Sequence, residues 1–405
     1  MRDVFTPADI MLPAGVSFEK WSVIACDQFS SQRDYWERVR GSVGSEPSTL
    51  NMIIPEAYLD QVDLNDEINK ISRSMDDYLE RGLMRRVEDS FVYVERTLTD
   101  GRVRRGLVGA VDLDEYVFSG FDAAILASEG TVLERLPVRI RVRKAVKLET
   151  PHIITFINDM DKTVIEPLKD IADSLPLLYD FDLMEGGGHI MGRRVSGRDA
   201  GMVMAAMRKL HEENGPLIVI GDGNHSLAAA KAYWDELKLG LGGDEVIRHP
   251  ARRALVEVNN VYDPAISFEA IHRVVFGVEP GELLGALERE LPPGGDYELH
   301  WVSGSGRGVI GVKAKRIGDM LSAVQAILDG FLPGYGGYID YVHGEDAAAG
   351  LAMGDRRLGL LLPKMDKSEL FDTVGAKGVF PKKSFSVGHA RDKRYYLECR
   401  RIVSD

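Results

Sequence analysis

One junction, at residues 216–237, constrains the fold of this chain more than any other feature of the sequence. It reads PLIVIGDGNHSLAAAKAYWDEL: an apolar run over Pro216 to Ile220, a glycine-containing turn from Gly221 to Ser226, and an alanine-rich segment. A short apolar run bounded by glycine predicts a buried strand, and the segment after the turn has the apolar spacing of an amphipathic helix. A strand that turns directly into a helix is typical of α/β proteins.

The rest of the chain alternates between strand and helix patterns in the same way. Period-two segments on either side of the turn Asp100-Gly101 predict a β-hairpin, and the segment SGSGRG at 303–308 predicts the loop of a second one. The segment DQFSSQRDYWERVRG predicts a helix capped by one of its serines. Further helices are predicted near 62–88, 161–175, 198–213, 279–290 and 317–331. We therefore expect a mixed α/β (α+β) fold.

The length of the chain predicts more than one folding unit. At 405 residues it exceeds the usual size of a single core. The turn-rich segment ELPPGGDYE near 290–298 is the clearest candidate boundary. It divides the chain into a main α/β region, 1–290, which contains the turn at Gly221–Ser226, and a C-terminal α/β lobe with a mixed sheet, 291–405.

Composition argues against several classes of function. The chain has 50 basic and 63 acidic residues, a net charge of -13, which disfavours a nonspecific nucleic-acid binder because that function needs a broad basic face. Its two cysteines, Cys26 and Cys399, argue against a disulfide scaffold or a structural zinc site. Without a signal-peptide pattern or a long apolar run, we expect a soluble cytoplasmic protein that does not enter membranes.

The turn at Gly221–Ser226 has several features of a phosphate-binding site. Backbone N–H groups and the helix dipole at a helix N-terminus favour an anion. Gly221 and Gly223 would allow a phosphate to approach the backbone, while Asn224, His225 and Ser226 add side-chain donors. Asp222 is unusual there, because a carboxylate beside a phosphate needs either a bridging Mg²⁺ or a shared proton.

A purely structural interpretation of this turn is also available. The glycines can form an ordinary turn, Asn224 or Ser226 can cap the helix, and His225 can pack as a neutral imidazole. The turn lacks the Gly-Lys-Ser/Thr of a Walker loop and the third glycine of a dinucleotide-binding fingerprint.

Three arginines form the densest alternating basic pattern in this acidic chain. Arg139, Arg141 and Arg143 alternate with Val138, Ile140 and Val142, so a strand at this position would carry all three guanidinium groups on one face. Such a face could bind an anion, or it could simply discourage edge-to-edge pairing of strands.

Other polar residues follow predicted strands, where open α/β sheets place their ligands. Asp27 and Gln28 come after the apolar segment WSVIAC, whose Cys26 we expect to be a buried, inert thiol. His272 and Arg273 follow FEAI, and His343 follows IDYV. Each of these residues alone is more often a hydrogen-bonded structural group than a ligand.

Taken together, these segments resemble a bacterial and archaeal family known as domain of unknown function 1015. The resemblance covers nearly the whole chain, through blocks that stand in the same order: LPAGVSFEKWSVIACDQFSSQRDYWERV, PSTLNMIIPEAYL, SEGTVLERLPVRIRVRKAVKLETPHII, GDGNHSLAAAKA, FEAIHRVV, IDYVHG and FPKKSFS. A relative of that family is an archaeal free-serine kinase, which places both in the ParB/sulfiredoxin-like superfamily. The resemblance thus implies a ParB/sulfiredoxin-like nucleotide-binding core with an additional mixed-sheet lobe.

The turn departs from the kinase pattern at two positions. The kinases are typically Asp-Gly-His-His-Arg where this chain has Asp222-Gly223-Asn224-His225-Ser226. Asp, Gly and the second His match, whereas Asn replaces the first His and Ser replaces the Arg. Losing that arginine removes a bidentate phosphate clamp, so the positive charge must come from elsewhere, with Arg139, Arg141 and Arg273 as candidates.

The resemblance implies a phosphotransferase that uses ATP or ADP with Mg²⁺ and acts on serine or a similar small amino acid. In this interpretation the turn holds the phosphate, and Asp222 holds Mg²⁺ or accepts a proton. Asp27, Glu129 and His225 are candidate bases for the acceptor hydroxyl. Further expected contacts are Glu129 with an ammonium, Thr131 with a phosphate oxygen, Gln28 with the substrate, and His272 and Arg273 with a carboxylate.

Two other functions remain open from the sequence. One is a phosphatase that acts on phosphoserine or a similar phosphorylated amino acid, since the same anion site could serve water as the acceptor. The other is a non-catalytic nucleotide-binding regulatory module, although the chain has neither a helix-turn-helix candidate nor a basic tail. The sequence does not fix the oligomeric state.

Overall fold

A computed structural model describes residues 3–213 and 215–404 and confirms the mixed α/β class. The strands are β1 (Phe5–Thr6), β2 (Ala8–Pro13), β3 (Val23–Ile24), β4 (Met84–Thr97), β5 (Val103–Asp112), β6 (Tyr116–Val117), β7 (Ile125–Ala127), β8 (Leu148–Glu149), β9 (Ile154–Ile157), β10 (Leu177–Asp182), β11 (His189–Val195), β12 (Ile218–Asp222), β13 (Arg253–Asn260), β14 (Phe268–Phe276), β15 (Pro293–Ser303), β16 (Gly306–Val312), β17 (Tyr338–His343), β18 (Arg357–Leu361), β19 (Phe385–Val387), β20 (Tyr395–Tyr396) and β21 (Arg400–Arg401). The helices are α1 (Phe18–Trp21), α2 (Arg33–Val43), α3 (Leu64–Glu80), α4 (Leu136–Ala145), α5 (Glu166–Ile171), α6 (Gly197–Glu213), α7 (Asn224–Leu237), α8 (Gly243–Arg248), α9 (Pro280–Glu290), α10 (Ile317–Phe331), α11 (Glu345–Ala352) and α12 (Glu369–Lys377).

A mixed sheet of eleven strands forms the larger part of the molecule. Its order is β10-β11-β4-β5-β13-β9-β12-β7-β6, with β1 added to β5 and β2 added to β4. The strand β12 lies between β7, to which it is parallel, and β9, to which it is antiparallel. The apolar run that precedes the turn is therefore buried in the interior of the sheet, as its composition predicts.

A second sheet of six strands lies beside the first. Its order is β16-β15-β18-β14-β17, with β19 paired to the far end of β14. The pair β15 and β16 is joined by a tight turn with Ser303 opposite Gly306, so SGSGRG is a hairpin loop, as predicted. This sheet already includes β14, which begins at Phe268. One strand of the second sheet therefore lies before residue 290. The division of the chain into 1–290 and 291–405 stays a prediction.

The C-terminal segment returns to the core of the first sheet. Strand β20 pairs with β3, and β21 pairs with β8. Tyr395, Leu397 and Ile402 are buried in the same apolar cluster as Trp21 and Trp36. This core is therefore built from both ends of the chain.

Several predicted elements are confirmed with small changes in their bounds. The hairpin around Asp100-Gly101 is β4–β5, with Thr97 opposite Val103. Helices α6 and α10 match the predicted 198–213 and 317–331 within one residue. The predicted helix 62–88 is shorter, since α3 ends at Glu80 and the chain then enters β4. No helix in the described part of the chain is both long and apolar enough to span a bilayer.

The strand predicted for Arg139, Arg141 and Arg143 is wrong, because these residues lie on helix α4. In an alternating pattern, every second apolar residue is four positions from the last, which is about one turn of a helix, so the same pattern also fits a helix. Val138, Val142 and Val146 follow each other by one turn and line one apolar cavity. Arg139 and Arg143, one helical turn apart, both line this cavity, whereas Arg141 hydrogen-bonds to Asn65, so the three guanidinium groups do not share one face.

The serine cap predicted for the second helix is also wrong. Helix α2 begins at Arg33 with Gln32 as its N-cap residue, and no side chain makes the capping hydrogen bond. Ser30 and Ser31 lie before this position and are exposed, so their hydroxyls do not reach the first turn.

Candidate functional site

A polar cavity of about 790 Å³ lies where the two sheets meet the C-terminal segment. The turn after β12, the end of β7 and the loops around β19 form its walls. Of the residues predicted from the sequence, it brings together Asp27, Gln28, Glu129, Arg139 and all of Gly221–Ser226. Thr131, Arg141, His272 and Arg273 do not line it.

The turn at Gly221–Ser226 delivers a helix N-terminus to this cavity. Gly223 is the N-cap residue of α7, and its φ of +79° lies in the left-handed region that favours glycine. A Cβ at Gly223 would stand 3.0 Å from the Cα of Ile153, and one at Gly221 would collide with the ring of Phe156. Both glycines are therefore required by close approach of the neighbouring strand, and the dipole of α7 points at the cavity.

The side chain of Asn224 anchors the turn. Its amide nitrogen donates to the carbonyl of Glu129 (2.8 Å) and to Thr131 Oγ1 (3.2 Å), and its oxygen accepts from the Tyr116 hydroxyl (3.2 Å). Both amide hydrogens are therefore engaged within the protein. This arrangement leaves the backbone N–H of Asn224, and not its side chain, as its contribution to an anion site.

His225 is held as a hydrogen-bond acceptor at one ring nitrogen. Its Nε2 accepts from the backbone N–H of Val132 at 3.1 Å. In the neutral ring the proton must then be on Nδ1. His225 and Asn224 together fix the segment 129–132 against the start of α7.

Asp222 is paired with a lysine from the C-terminal segment. Lys393 Nζ lies 3.0 Å from Asp222 Oδ2, while Oδ1 accepts from the N–H of Gly223 at 2.9 Å. Both side chains are less than a fifth exposed. Lys393 thereby brings a cationic side chain to the turn.

The residues do not form a ready Mg²⁺ site. Within residues 3–213 and 215–404, no group of three His, Cys, Asp or Glu side chains is placed to hold a metal ion. The Asp222 carboxylate, which the sequence suggested as a ligand, already has Lys393 as its counter-ion. We therefore assign no step of the chemistry to Mg²⁺.

Asp27 is a half-buried carboxylate in the wall of the cavity. Gln28 donates to its Oδ1 at 3.0 Å. Burial raises the pKa of Asp27, but the positive charges of His152 and Lys393 and the hydrogen bond from Gln28 outweigh it and hold the pKa below its ordinary value. Asp27 is therefore ionised at neutral pH.

Glu129 ties the cavity to the loop that carries Lys383. Its carboxylate accepts from the N–H of Ser384 at 3.2 Å. Burial raises the pKa of Glu129 even though the N–H groups of residues 383–385 favour its charged form. On the other side of this loop, Arg273 donates to the carbonyl of Lys383 at 3.0 Å. Lys383 itself has a φ of +60°, which a lysine adopts only when its surroundings impose it.

The remaining predicted residues have structural partners. Arg139 pairs with Glu56 at 2.5 Å, and Arg141 hydrogen-bonds to Asn65 away from the cavity. His272 is buried, and its Nδ1 accepts from the N–H of Leu362 at 3.1 Å. Burial raises the pKa of Cys26 to about 12, which keeps its thiol protonated and unreactive.

The sequence analysis missed several groups that line the cavity. They are Lys383, Lys393, His152, Glu269, His389 and Ser386. Lys383 and Ser386 lie in FPKKSFS, which contributed to the resemblance but received no role, so a signal for them was present. Lys393 lies in the segment ARDKRYY, whose charged residues are typical of a protein surface. Nothing in this segment indicates that Lys393 pairs with Asp222.

The fold and this cavity define a mixed α/β protein with a polar cavity between two sheets. Residues 12–386 match the family described as "Protein of unknown function (DUF1015)", and the chain belongs to this family. The family expected from the sequence is thus confirmed. The wider ParB/sulfiredoxin-like relationship stays a prediction.

Solved structures with some likeness include a mutant free serine kinase in complex with AMP, at 13% identity and a TM-score of 0.40, covering 71% of this chain and 90% of that one. A free serine kinase mutant in complex with ADP has 13% identity and a TM-score of 0.38, covering 73% and 92%. SbnI with a C-terminal truncation, from Staphylococcus aureus, has 10% identity and a TM-score of 0.38, covering 69% and 82%. No curated protein matches the chain. Likenesses this weak carry no conclusion about its activity.

Proposed function

We propose that this protein is a nucleotide-dependent phosphotransferase acting on the hydroxyl group of a small amino acid or a related compound. The observation that carries the proposal is the juxtaposition, in one cavity, of a helix N-terminus with Lys393 and Lys383 on one side and the ionised carboxylate of Asp27 on the other. Phosphoryl transfer depends mainly on positioning and on neutralising charge, and these residues supply both.

The transferring phosphate binds at the turn in this proposal. The backbone N–H groups at the start of α7 and the helix dipole favour its negative charge. Lys393, held by Asp222, adds a full positive charge beside the turn, and Lys383 adds a second from the loop before β19. A nucleotide, ATP or ADP, is the donor that such a site would take.

Asp27 is the group that accepts the proton of the acceptor hydroxyl. It lines the cavity and is ionised, and Gln28 occupies Oδ1, which leaves Oδ2 for the proton. Glu129 is a poorer candidate, because its carboxylate is engaged by the backbone of the 383–385 loop. We therefore assign Glu129 the role of positioning Lys383.

Phosphorus NMR tests the proposal directly. The purified protein is incubated with ATP or ADP and a pool of amino acids, and then with phosphoserine alone. A new phosphomonoester signal formed from the nucleotide supports transfer and identifies the acceptor. Release of free phosphate from phosphoserine would instead show that the protein is a phosphatase. Nucleotide binding without turnover of either substrate would show that it is a non-catalytic nucleotide-binding module.

A variant pair tests the assigned base. Asp27→Asn keeps the size of the side chain but cannot take a proton, so we expect transfer to slow by about 10²- to 10⁴-fold. Asp60→Asn, at a side chain that is 72% exposed, serves as the matched control and should be unaffected. Equal rates for Asp27→Asn and the wild type would remove Asp27 from this role.

A further inference from the structure

A second cavity, here called the apolar chamber, adjoins the polar cavity. It has a volume of about 180 Å³ and lies between α3, α4 and α7. Val138 and Val142 of α4 and Val146, directly after this helix, line one wall, and Ala229 and Ala230 of α7 line another. An apolar cavity of about 150 Å³ is large enough to bind benzene, so the chamber has room for a phenyl ring or a branched aliphatic group.

The chamber shares part of its wall with the polar cavity that contains the proposed phosphate site. Glu56, Arg139, His152 and Ser226 line both cavities. Ser226 belongs to the turn, and Ala230 lies one turn further along α7, a rise of about 5.4 Å per turn. A ligand with its reacting group at the turn can therefore place a neighbouring apolar group in the chamber.

The carboxylates at the chamber wall are already engaged within the protein. Glu149 accepts from Arg143 Nη2 and from Arg400 Nε, each at 2.7 Å, and from the N–H of Leu255 at 3.0 Å. Glu56 is paired with Arg139. Arg143 Nε is a buried donor without a partner, so a nucleobase would find one donor there but no carboxylate to accept from its amino or imino groups, whereas a hydrocarbon group needs no polar partner.

We propose that the apolar chamber takes the side chain of the phosphate acceptor, so the acceptor is a hydroxyl compound that carries a phenyl-sized or branched aliphatic group. This inference rests on the proposed function and narrows its substrate class. A nucleobase is the competing occupant. It fits less well because a ribose and at least one further phosphate would separate it from the phosphate that is transferred.

Binding measurements on the full chain test the proposal without requiring turnover. The probes are L-serine and 3-phenylserine, which differ only by the phenyl ring, and ADP, each followed by calorimetry or by saturation-transfer NMR. Burying the ring should make 3-phenylserine bind about tenfold or more tightly than serine. Equal affinities for the two compounds would overturn the proposal.

A matched pair of variants locates the binding. Val142 is half-buried and lines the chamber, whereas Ile140 is half-buried on the same helix and packs against Leu136 instead. We expect Val142→Phe to abolish the preference for 3-phenylserine and to leave ADP binding unchanged, while Ile140→Phe keeps the preference. Weakened ADP binding in Val142→Phe, with the preference retained, would assign the chamber to the base and overturn the proposal.

Two further readouts separate the possible failures. Should Val142→Phe not fold, Leu59→Trp is the second variant, because Leu59 also lines the chamber and is 39% exposed. A preference for 3-phenylserine without phosphoryl transfer would support the chamber as a ligand site and reject the phosphotransferase. Phosphoryl transfer to serine without a binding preference for 3-phenylserine would support the phosphotransferase and reject the chamber as the site of the acceptor's side chain.

Discussion

The pair of Asp222 and Lys393 joins the turn to the C-terminal segment. The two residues are 171 positions apart, and their charged atoms lie 3.0 Å from each other, largely shielded from solvent. In the proposed function a phosphate at the turn would be repelled by Asp222 unless that carboxylate is neutralised, so Lys393 would both offset Asp222 and attract the phosphate. Removing the lysine would expose the repulsion, and removing the aspartate as well would relieve it.

Lys393→Met should therefore weaken ADP binding by about tenfold or more, because a charge-assisted contact is lost and Asp222 is left unpaired. The double variant Asp222→Asn/Lys393→Met should bind more tightly than Lys393→Met alone. Calorimetry at two salt concentrations measures both. An affinity for ADP that Lys393→Met does not change would separate Lys393 from the phosphate site.

The pH dependence of transfer distinguishes Asp27 from Glu129 as the base. The pKa of Asp27 is lowered, so its basic form is retained until the pH falls below the ordinary aspartate value of about 4. The pKa of Glu129 is raised, so a rate that depended on its charged form would fall already above the ordinary glutamate value of about 4.3. We expect the acidic limb of the kcat profile below pH ~4, measured over short times after a pH jump. A limb nearer neutrality would favour Glu129.

The residues of the turn could be placed together because their arrangement is local. Gly221–Ser226 all line the cavity, since a strand-to-helix turn fixes its own neighbours along the chain. Asp27, His152 and Lys393 reach the same cavity only through the tertiary fold; Asp27 was named from its position after a predicted strand, and the other two were missed. Arg141 was named from the alternating arginine pattern, His272 from its position after a predicted strand and Thr131 from the resemblance, and none of the three lines the cavity.

Among the elements, the turn between β12 and α7 depends on the absence of a side chain at Gly223. Gly223→Ala would force a side chain into a left-handed conformation beside Ile153, so we expect a loss of about 1–3 kcal/mol in the free energy of unfolding. Gly240→Ala is the control, because a Cβ there meets open space. Urea unfolding compares the two. Equal stability of both variants would show that the turn tolerates a Cβ.

The type of an element could be predicted wherever its sequence pattern fits only one period, that of a helix or that of a strand. The prediction was wrong for α4, where the pattern fits both. The hairpin β4–β5 and helices α6 and α10 each show a long, unambiguous pattern. In α4, valine or isoleucine alternates with arginine. This two-residue spacing fits a strand, and every second apolar residue is four positions from the last, which also fits one turn of a helix. Packing of α4 against α7, through Leu136, decides in favour of the helix, and this contact is invisible in the local sequence.

For the whole molecule, the buried ion pairs of Arg394 connect the C-terminal segment to the first sheet. Arg394 contacts Glu257 at 2.8 Å and Glu398 at 2.7 Å, and all three side chains are at most 4% exposed. Arg394→Met would leave the buried carboxylate of Glu398 without its cation and Glu257 with Arg104 alone, at 3.5 Å, so we expect a loss of about 3–5 kcal/mol in the free energy of unfolding. Lys364→Met, at an exposed pair 3.7 Å from Glu269, should cost less than about 1 kcal/mol. Urea unfolding tests the contrast, and similar losses would show that Arg394 is not buried as described.

The mixed α/β class followed from the alternation of elements, but the layout of the molecule did not. Nothing in the sequence of residues 394–402 indicates that β20 and β21 form two-stranded sheets with β3 and β8 instead of joining one of the two larger sheets. The pairing of β20 with β3 and of β21 with β8 depends on contacts across more than 250 positions.

The return of the last strands to the core of the first has a consequence for synthesis. As the nascent chain leaves the ribosome, Trp21 and Trp36 emerge early, but Tyr395, Leu397 and Ile402, which cover the same core, emerge more than 350 residues later. At a synthesis rate of about 5–20 residues per second this leaves the apolar surface uncovered for tens of seconds. Folding of this core therefore waits until residues 395–402 have been synthesised, and its apolar surface stays exposed until then.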